Sequence, residues 1–236
     1  MIPSILASAA LGFLPGEPAK IPPALKIDAG NFSLAGEALI SGPWTMAQAW
    51  RDDVQEGFRP AVVRLGWQPR ALWVLADLGD DYMVSDSTAH NQDMWTLGDV
   101  FEVFIARRDS PWYLELHVTP HNHRLHLRWT AEGFAGIRSK EKTLDDFRAD
   151  PGAFESWVRQ APDGKGWQVL MRIPASILPD GEDFKAGEKF DISFSRYDAG
   201  AQGTPKILSS TSPHTKLDYH RRSEWRSAEL VEGQGC

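Results

Sequence analysis

The sequence predicts an all-β protein, an immunoglobulin-like antiparallel β-sandwich with few short helices. Two observations carry this expectation. From about Val62 onward, apolar and polar residues alternate with a period of two in short segments broken by Gly, Pro, Asp and Asn. The helices that parallel strands need for their crossovers are missing from the pattern between those segments. Many short strands joined by tight turns bury their apolar faces best by closing into a sandwich.

Val62–Trp67 and Ala71–Leu78 form the first hairpin, turning through Gln68–Arg70. Asp99–Ala106 comes next, then Trp112–Pro120 and Arg124–Thr130 around a turn at Pro120–His123. Phe154–Gln160 and Trp167–Ile173 flank the turn Pro162–Gly166, and Phe190–Tyr197, Lys206–Ser209 and Trp225–Val231 close the series. Helix is expected over Thr45–Val54 and Thr143–Phe147, the second starting on a threonine suited to cap a first turn. The polar stretch Ala131–Gly152 is expected to be a long loop.

No repeat and no second composition regime divides the chain, so residues 25–236 are expected to form one domain. Residues 1–24 are expected to be an N-terminal arm or the remnant of an export segment. The apolar stretch Ile5–Leu14 has about half the roughly 20 residues that a bilayer-crossing helix requires, so no membrane span is expected. Met1–Ser4 lack the basic residues of a secretory signal, although the apolar run resembles one, and a secreted or periplasmic location is the working expectation. Pro15–Pro23 fixes an extended connector.

Composition narrows the function. In 236 residues, 42% are hydrophobic and 24% charged, close to the globular average, which excludes a disordered or fibrous chain. Lys and Arg number 25 against 32 Asp and Glu, a net charge of −7, and no basic run exceeds a pair, so a nucleic-acid partner is excluded. The single cysteine, Cys236, rules out an intrachain disulfide and a zinc site built on several thiolates. Ten tryptophans against four tyrosines is an unusual surplus of large rings, some of them expected to be exposed for use.

Alternation along Trp112–Pro120 places Trp112, Leu114, Leu116 and Val118 on a core face and Tyr113, Glu115, His117 and Thr119 on the other. A hairpin through His121 and Asn122 would align that polar face with Arg124, His126 and Arg128. The plain interpretation is a solvated sheet face with charges paired across strands. The functional one is a polar binding platform, to which Glu155, Trp157 and Arg159 would contribute if their strand were a neighbour.

Such a platform suits a sugar. A pyranose offers an apolar C–H face that stacks on an aromatic ring, and a rim of hydroxyls that both donate and accept hydrogen bonds. Asn91–Phe104 has the required ingredients: Trp95 in a loop with Gly and Asp, ahead of a strand bearing Glu102. A buried structural role for Trp95 is the alternative, since buried tryptophans are common.

The ordered segments Ala71–Leu78, Trp95–Ile105, Trp112–Pro120, Gly166–Pro174 with Leu178, Phe190–Tyr197, and Tyr219–His220 ahead of Trp225 and Leu230 resemble the family 9 carbohydrate-binding modules and their stand-alone relatives. The resemblance spans most of Leu25–Val231. It implies a sandwich that grips a terminal sugar of a glycan between two aromatic rings without cleaving it, as part of a polysaccharide-degrading system. By position, Trp95 matches the first ring, Tyr219 the second, and Glu102 the strand carboxylate that bonds sugar hydroxyls. Glu115, His117 and His220 fall where further polar contacts are expected. Tyr219 stands where the family has a second Trp, and Met94–Gly98 carries one residue more than the common spacing. No cofactor is required by this reading. Some relatives hold structural calcium, for which Asp80, Asp81, Asp86 and Asp93 offer oxygen ligands, although solvated loop carboxylates are the simpler explanation.

Three rival functions compete. A glycan-active hydrolase or lyase would use a carboxylate pair, for which Glu102 with Glu115 is the best combination because Asp99 and Glu102 point to opposite faces. No nucleotide-binding or serine-hydrolase motif is present. A metal or haem site would draw on His121 and His123, or on Met83 or Met94 with His117, as in electron-transfer sandwiches. A protein-interaction module would use the exposed rings for protein contacts.

Overall fold

The computed structural model describes residues 17–24, 26–35, 44–178, 181–201 and 204–232. Ile5–Leu14 and Cys236 lie outside them. The strands are β1 (Ala19–Ile21), β2 (Lys26–Asp28), β3 (Ser33–Ala35), β4 (Trp44–Thr45), β5 (Ala61–Gln68), β6 (Ala71–Gly79) and β7 (Val100–Arg107). They continue with β8 (Trp112–Val118), β9 (Arg124–Thr130), β10 (Glu155–Gln160), β11 (Gly166–Pro174), β12 (Lys189–Asp198), β13 (Ile207–Ser210) and β14 (Arg226–Leu230). One sheet runs β1-β14-β12-β7-β8-β9, with β13 also on β12; the facing sheet runs β10-β11-β6-β5-β4. All pairs are antiparallel except β1 on β14, which is parallel. The predicted sandwich is therefore present.

Alternation explains the core. Val63 and Leu65 of β5, Val74 and Ala76 of β6, and Val169 and Met171 of β11 face Phe101 and Val103 of β7, Leu114 and Leu116 of β8, and Phe194 of β12. Phe101 and Phe194 stack with their planes 6° apart. These side chains are fully removed from water, which is worth roughly 1.5–3 kcal/mol for each large residue.

Four expectations are corrected. Thr45–Val54 is not a helix: Met46 donates to the Ala61 carbonyl and Ala47 exchanges two backbone hydrogen bonds with Ser210, so long-range pairing overrides local preference. Ala131–Gly152 is not a loop throughout, because α1 (Ala131–Ser139) starts on Thr130, whose hydroxyl accepts from the Gly133 N–H. The expected turn at Thr143 does form a short 3₁₀ segment with a capping box.

The third correction concerns the β8–β9 hairpin. Glu115 pairs with Leu127, His117 with Leu125 and Tyr113 with Trp129. A two-residue turn would have put Pro120 into the ladder, where it has no N–H to donate. Instead Asn122 takes a left-handed conformation, and its N–H bonds to the Thr119 carbonyl. The register moves by one residue, so Arg124, His126 and Arg128 turn to the face of Leu114 and Leu116. Fourth, β10 is the edge of the facing sheet, so Glu155, Trp157 and Arg159 are not neighbours of Glu115.

Candidate functional site

The outer face of the first sheet carries a second apolar cluster of Met94, Phe104, Leu125, Leu127, Trp129, Phe147, Tyr219 and Trp225. It is roofed by α1, the 3₁₀ turn Leu144–Phe147 and the segment before β14. Between roof and sheet lies an open cavity of about 640 Å³ lined by Trp95, Glu102, Glu115, Tyr197, Tyr219 and His220, among others.

Trp95 is held at the rim by a 3₁₀ turn. Its neighbour Met94 is wholly buried and serves as the plug, Thr96 Oγ1 donates to the Asp93 carbonyl at 2.6 Å, and Lys206 donates to the Trp95 carbonyl. The loop closes at Gly98, where φ is +140° and a Cβ would lie 2.3 Å from the Val84 oxygen, so no other residue fits. The indole is half-buried and stands edge-on to His117, ring centres 5.8 Å apart.

The floor is a buried polar triad. In register, Glu102 of β7 lies beside His117 of β8, and Glu115 is two residues along the same face. His117 Nε2 is 2.6 Å from Glu115 Oε1 and 3.2 Å from Glu102 Oε1. Glu115 Oε2 accepts from Trp129 Nε1 at 2.6 Å and lies 3.8 Å from His220 Nε2. Tyr113 and His220 share a hydrogen bond of 2.8 Å.

Burial pushes the Glu102 carboxyl up to about 8, His117 opposing and Glu115 adding to the rise, so at neutral pH it keeps its proton. Burial also works against charge on Glu115, but His220, His117 and the Trp129 N–H outweigh it and hold that carboxyl below its ordinary value. Burial opposes the imidazolium of His117 too, yet the two carboxylates raise its pKa. The floor thus joins a neutral acid, Glu102, to an imidazole whose pKa is raised and a carboxyl group whose pKa is lowered.

Trp95, Glu102, Glu115, Tyr219 and His220 all line the one cavity, and His117 lies beneath it, bonded to both carboxylates. Tyr219 is 5% exposed, its hydroxyl donates to the Arg196 carbonyl, and Trp225 Nε1 donates to its own carbonyl at 2.7 Å. It is a packed wall with little free ring surface. Tyr197 and Trp129, which sequence reasoning missed, also line the cavity. The pairing Tyr197↔Val100 puts Tyr197 on the face of Glu102, and the pairing Tyr113↔Trp129 puts Trp129 on the face of Glu115. Correct register was the signal that would have found both.

The four aspartates suggested for calcium do not share a site. Asp81 pairs with Arg59, Asp93 with Arg148, and Asp86 is exposed. Asp80 instead converges with Asp99 and Asp198. Arg196 spans Asp80 and Asp198 at 3.0 Å each, and Asp99 accepts from the Val84 and Ala199 N–H groups. This constellation carries its own cation. The His121 and His123 rings are 6.3 Å apart, and no convergent ligand set among the described residues includes them. Met83 is 40% exposed and Met94 fully buried, while His117 Nε2 lies between the Glu102 and Glu115 carboxyl groups. No helix among the described residues is long and apolar enough to cross a membrane.

Solved structures repeat this architecture. A protein of Bacteroides uniformis proposed to bind carbohydrate superposes with a TM-score of 0.66 at 14% identity, over 89% of this chain and 97% of that one. A family 9 carbohydrate-binding module from Caldicellulosiruptor kristjanssonii in complex with cellotriose gives 0.59 at 15% identity, over 93% and 95%. The fold is similar to that of the family 9 modules. A further structure of a family 9 module from that organism, in complex with glucose, gives 0.56 at 13% identity, over 92% and 98%. No protein-family model and no curated protein matches the chain.

Proposed function

We propose that the chain binds the end of a saccharide in the Trp95 cavity and does not cleave it. The observation that carries this is a half-buried indole at the rim of an open cavity whose floor is a buried carboxylate–imidazole triad. An apolar sugar face needs the ring, and hydroxyls need groups that both donate and accept. The protonated Glu102 does both, and Glu115 accepts. Tyr197, half-buried at the cavity and 5.7 Å from Tyr219, is the second ring in this reading, with Tyr219 supporting it from behind. Fold similarity to modules described with cellotriose and glucose makes β-glucosyl ends the first ligands to try.

A binding role is favoured over hydrolysis by the state of Glu115. One oxygen bonds His117 and the other bonds Trp129, so the carboxylate is committed to the fold instead of being free to attack or to activate water. A glycan array, followed by calorimetry on wild type and Trp95→Ala, tests the proposal. Saturable binding lost in the variant, with no release of reducing sugar, supports it; cleavage of the bound glycan, or binding unchanged in the variant, overturns it.

A further inference from the structure

Among the described residues, two sets of three side chains converge closely enough to share one ion, with ligand atoms within 4.8 Å of one another: Asp80, Asp99 and Asp198, and the cavity floor of Glu102, Glu115 and His117. The first set already holds a cation, since the Arg196 guanidinium spans Asp80 and Asp198, and a guanidinium does not lose its proton in a protein. At the floor the partner is an imidazole, which as a neutral ring offers its Nε2 lone pair to a metal.

The Glu102 carboxyl borders the cavity, is 3% exposed, and among the described residues forms no hydrogen bond beyond its 3.2 Å approach to His117 Nε2. A buried carboxyl with so little compensation is short of a cation. Glu115 is held more firmly: Trp129 Nε1 donates to its Oε2 at 2.6 Å, which leaves Oε1 directed at His117. Donor atoms around a tetrahedral ion with ligands at about 2.0 Å stand about 3.3 Å apart. His117 Nε2 is 2.6 Å from one carboxyl oxygen and 3.2 Å from the other, so a shift of under about 1 Å admits the ion. All three side chains stand on the paired strands β7 and β8, which fix their spacing.

We infer that Glu102, Glu115 and His117 bind a divalent transition ion of the zinc class at the floor of the Trp95 cavity, with a fourth coordination position open toward the cavity. Two carboxylates and a neutral imidazole balance the double charge, and the imidazole favours such an ion over calcium or magnesium, which take oxygen ligands. The inference goes beyond the saccharide reading and does not depend on it.

The test is calorimetry with zinc chloride on the full chain, stripped of metal by a chelator and with no saccharide present. One zinc ion per chain is expected, with calcium and magnesium binding about a hundredfold more weakly. Glu102→Gln, close in shape to the native side chain, is expected to weaken zinc by about tenfold or more. In ¹⁵N-labelled wild type, zinc is expected to move the indole N–H signal of Trp129, which bonds Glu115, and to leave those of Trp73 and Trp157 in place. No zinc binding, an affinity that Glu102→Gln leaves unchanged, or binding that does not move the Trp129 signal overturns the inference. All three results leave the saccharide reading standing, because its own titration tests it.

Discussion

The two outer faces of the sandwich carry similar residues and have come to different ends. On the facing sheet, Trp73, Leu75 and Asp77 of β6 share a surface with Leu170, Gln168 and Arg172 of β11 and with Trp157 and Arg159 of β10. There Trp73 and Trp157 stack at 6.2 Å, the β2–β3 hairpin lays Ile27 and Phe32 over them, and the charges pair near solvent as Arg64–Asp77 and Arg172–Glu155. On the first sheet, Trp95, Trp129 and the acids Glu102 and Glu115 lie under a roof that leaves a cavity and strips water from the charges. Aromatic rings beside charged groups do not make a site. A roof that buries the charges while leaving one ring accessible is what sets the proposed saccharide cavity apart.

The contrast can be broken at its strongest point. Glu115→Ala leaves the Trp129 indole N–H buried without its acceptor and takes from His117 the nearer of its two carboxyl partners, and is expected to cost about 3 kcal/mol of stability, read by denaturant unfolding. A loss below 1 kcal/mol would put Glu115 in the same class as the exposed pairs. Trp95→Ala is expected to weaken saccharide binding by about 1–3 kcal/mol with the thermal midpoint little changed, because its ring is only half-buried. Unfolding of this variant would instead make Trp95 part of the core.

Stability against pH sharpens the picture further. Folded Glu102 holds its proton to about 8, whereas the unfolded chain releases it near 4.5, so the folded state binds the extra proton in that window and stability falls as pH rises through it. His117 has the same sign: its contribution is full below about 6.5 and fades as pH rises through its raised folded value. Glu115 has the opposite sign, contributing above about 4.5 and losing its contribution as pH falls through its lowered value. Asp99, raised to about 7 by burial, adds to the Glu102 trend, so the readout is the difference between wild type and variant. Glu102→Gln is expected to flatten the fall in stability between about pH 5 and pH 8 relative to wild type. Parallel curves would show that Glu102 is ionised at neutral pH. The smallest effect is expected from Arg64→Ala on the other face, about 0–1 kcal/mol, since its ion pair is about one-third exposed.

Most of the sandwich was legible because strand alternation records burial directly, as in Leu114, Leu116 and Val118. What the pattern does not record is which residues lie opposite each other across a turn. The β8–β9 register depended on Pro120 and Asn122, and a one-residue error moved Leu125, Leu127 and Trp129 off the face of Glu115. The Trp95 loop was legible through Gly98 and the strand acid behind it. The burial of Tyr219 was not, because it follows from a hydrogen bond to the Arg196 carbonyl and from packing on Phe104 and Trp50, all distant in sequence. The roof helix α1 was missed because the contacts that hold it, Phe147 beneath Gly133 and Ile137 on the outer cluster, come from tertiary packing that the local pattern does not record.

The most direct measurement is a titration of ¹⁵N-labelled protein with cellotriose, following the indole N–H resonances assigned by single Trp→Phe substitutions. Trp95 at the rim and Trp129, whose N–H bonds to Glu115, are expected to shift together and saturably, while Trp73 and Trp157 stay still. Movement of the Trp73 and Trp157 signals with Trp95 and Trp129 unmoved would place the saccharide on the opposite face and contradict the account.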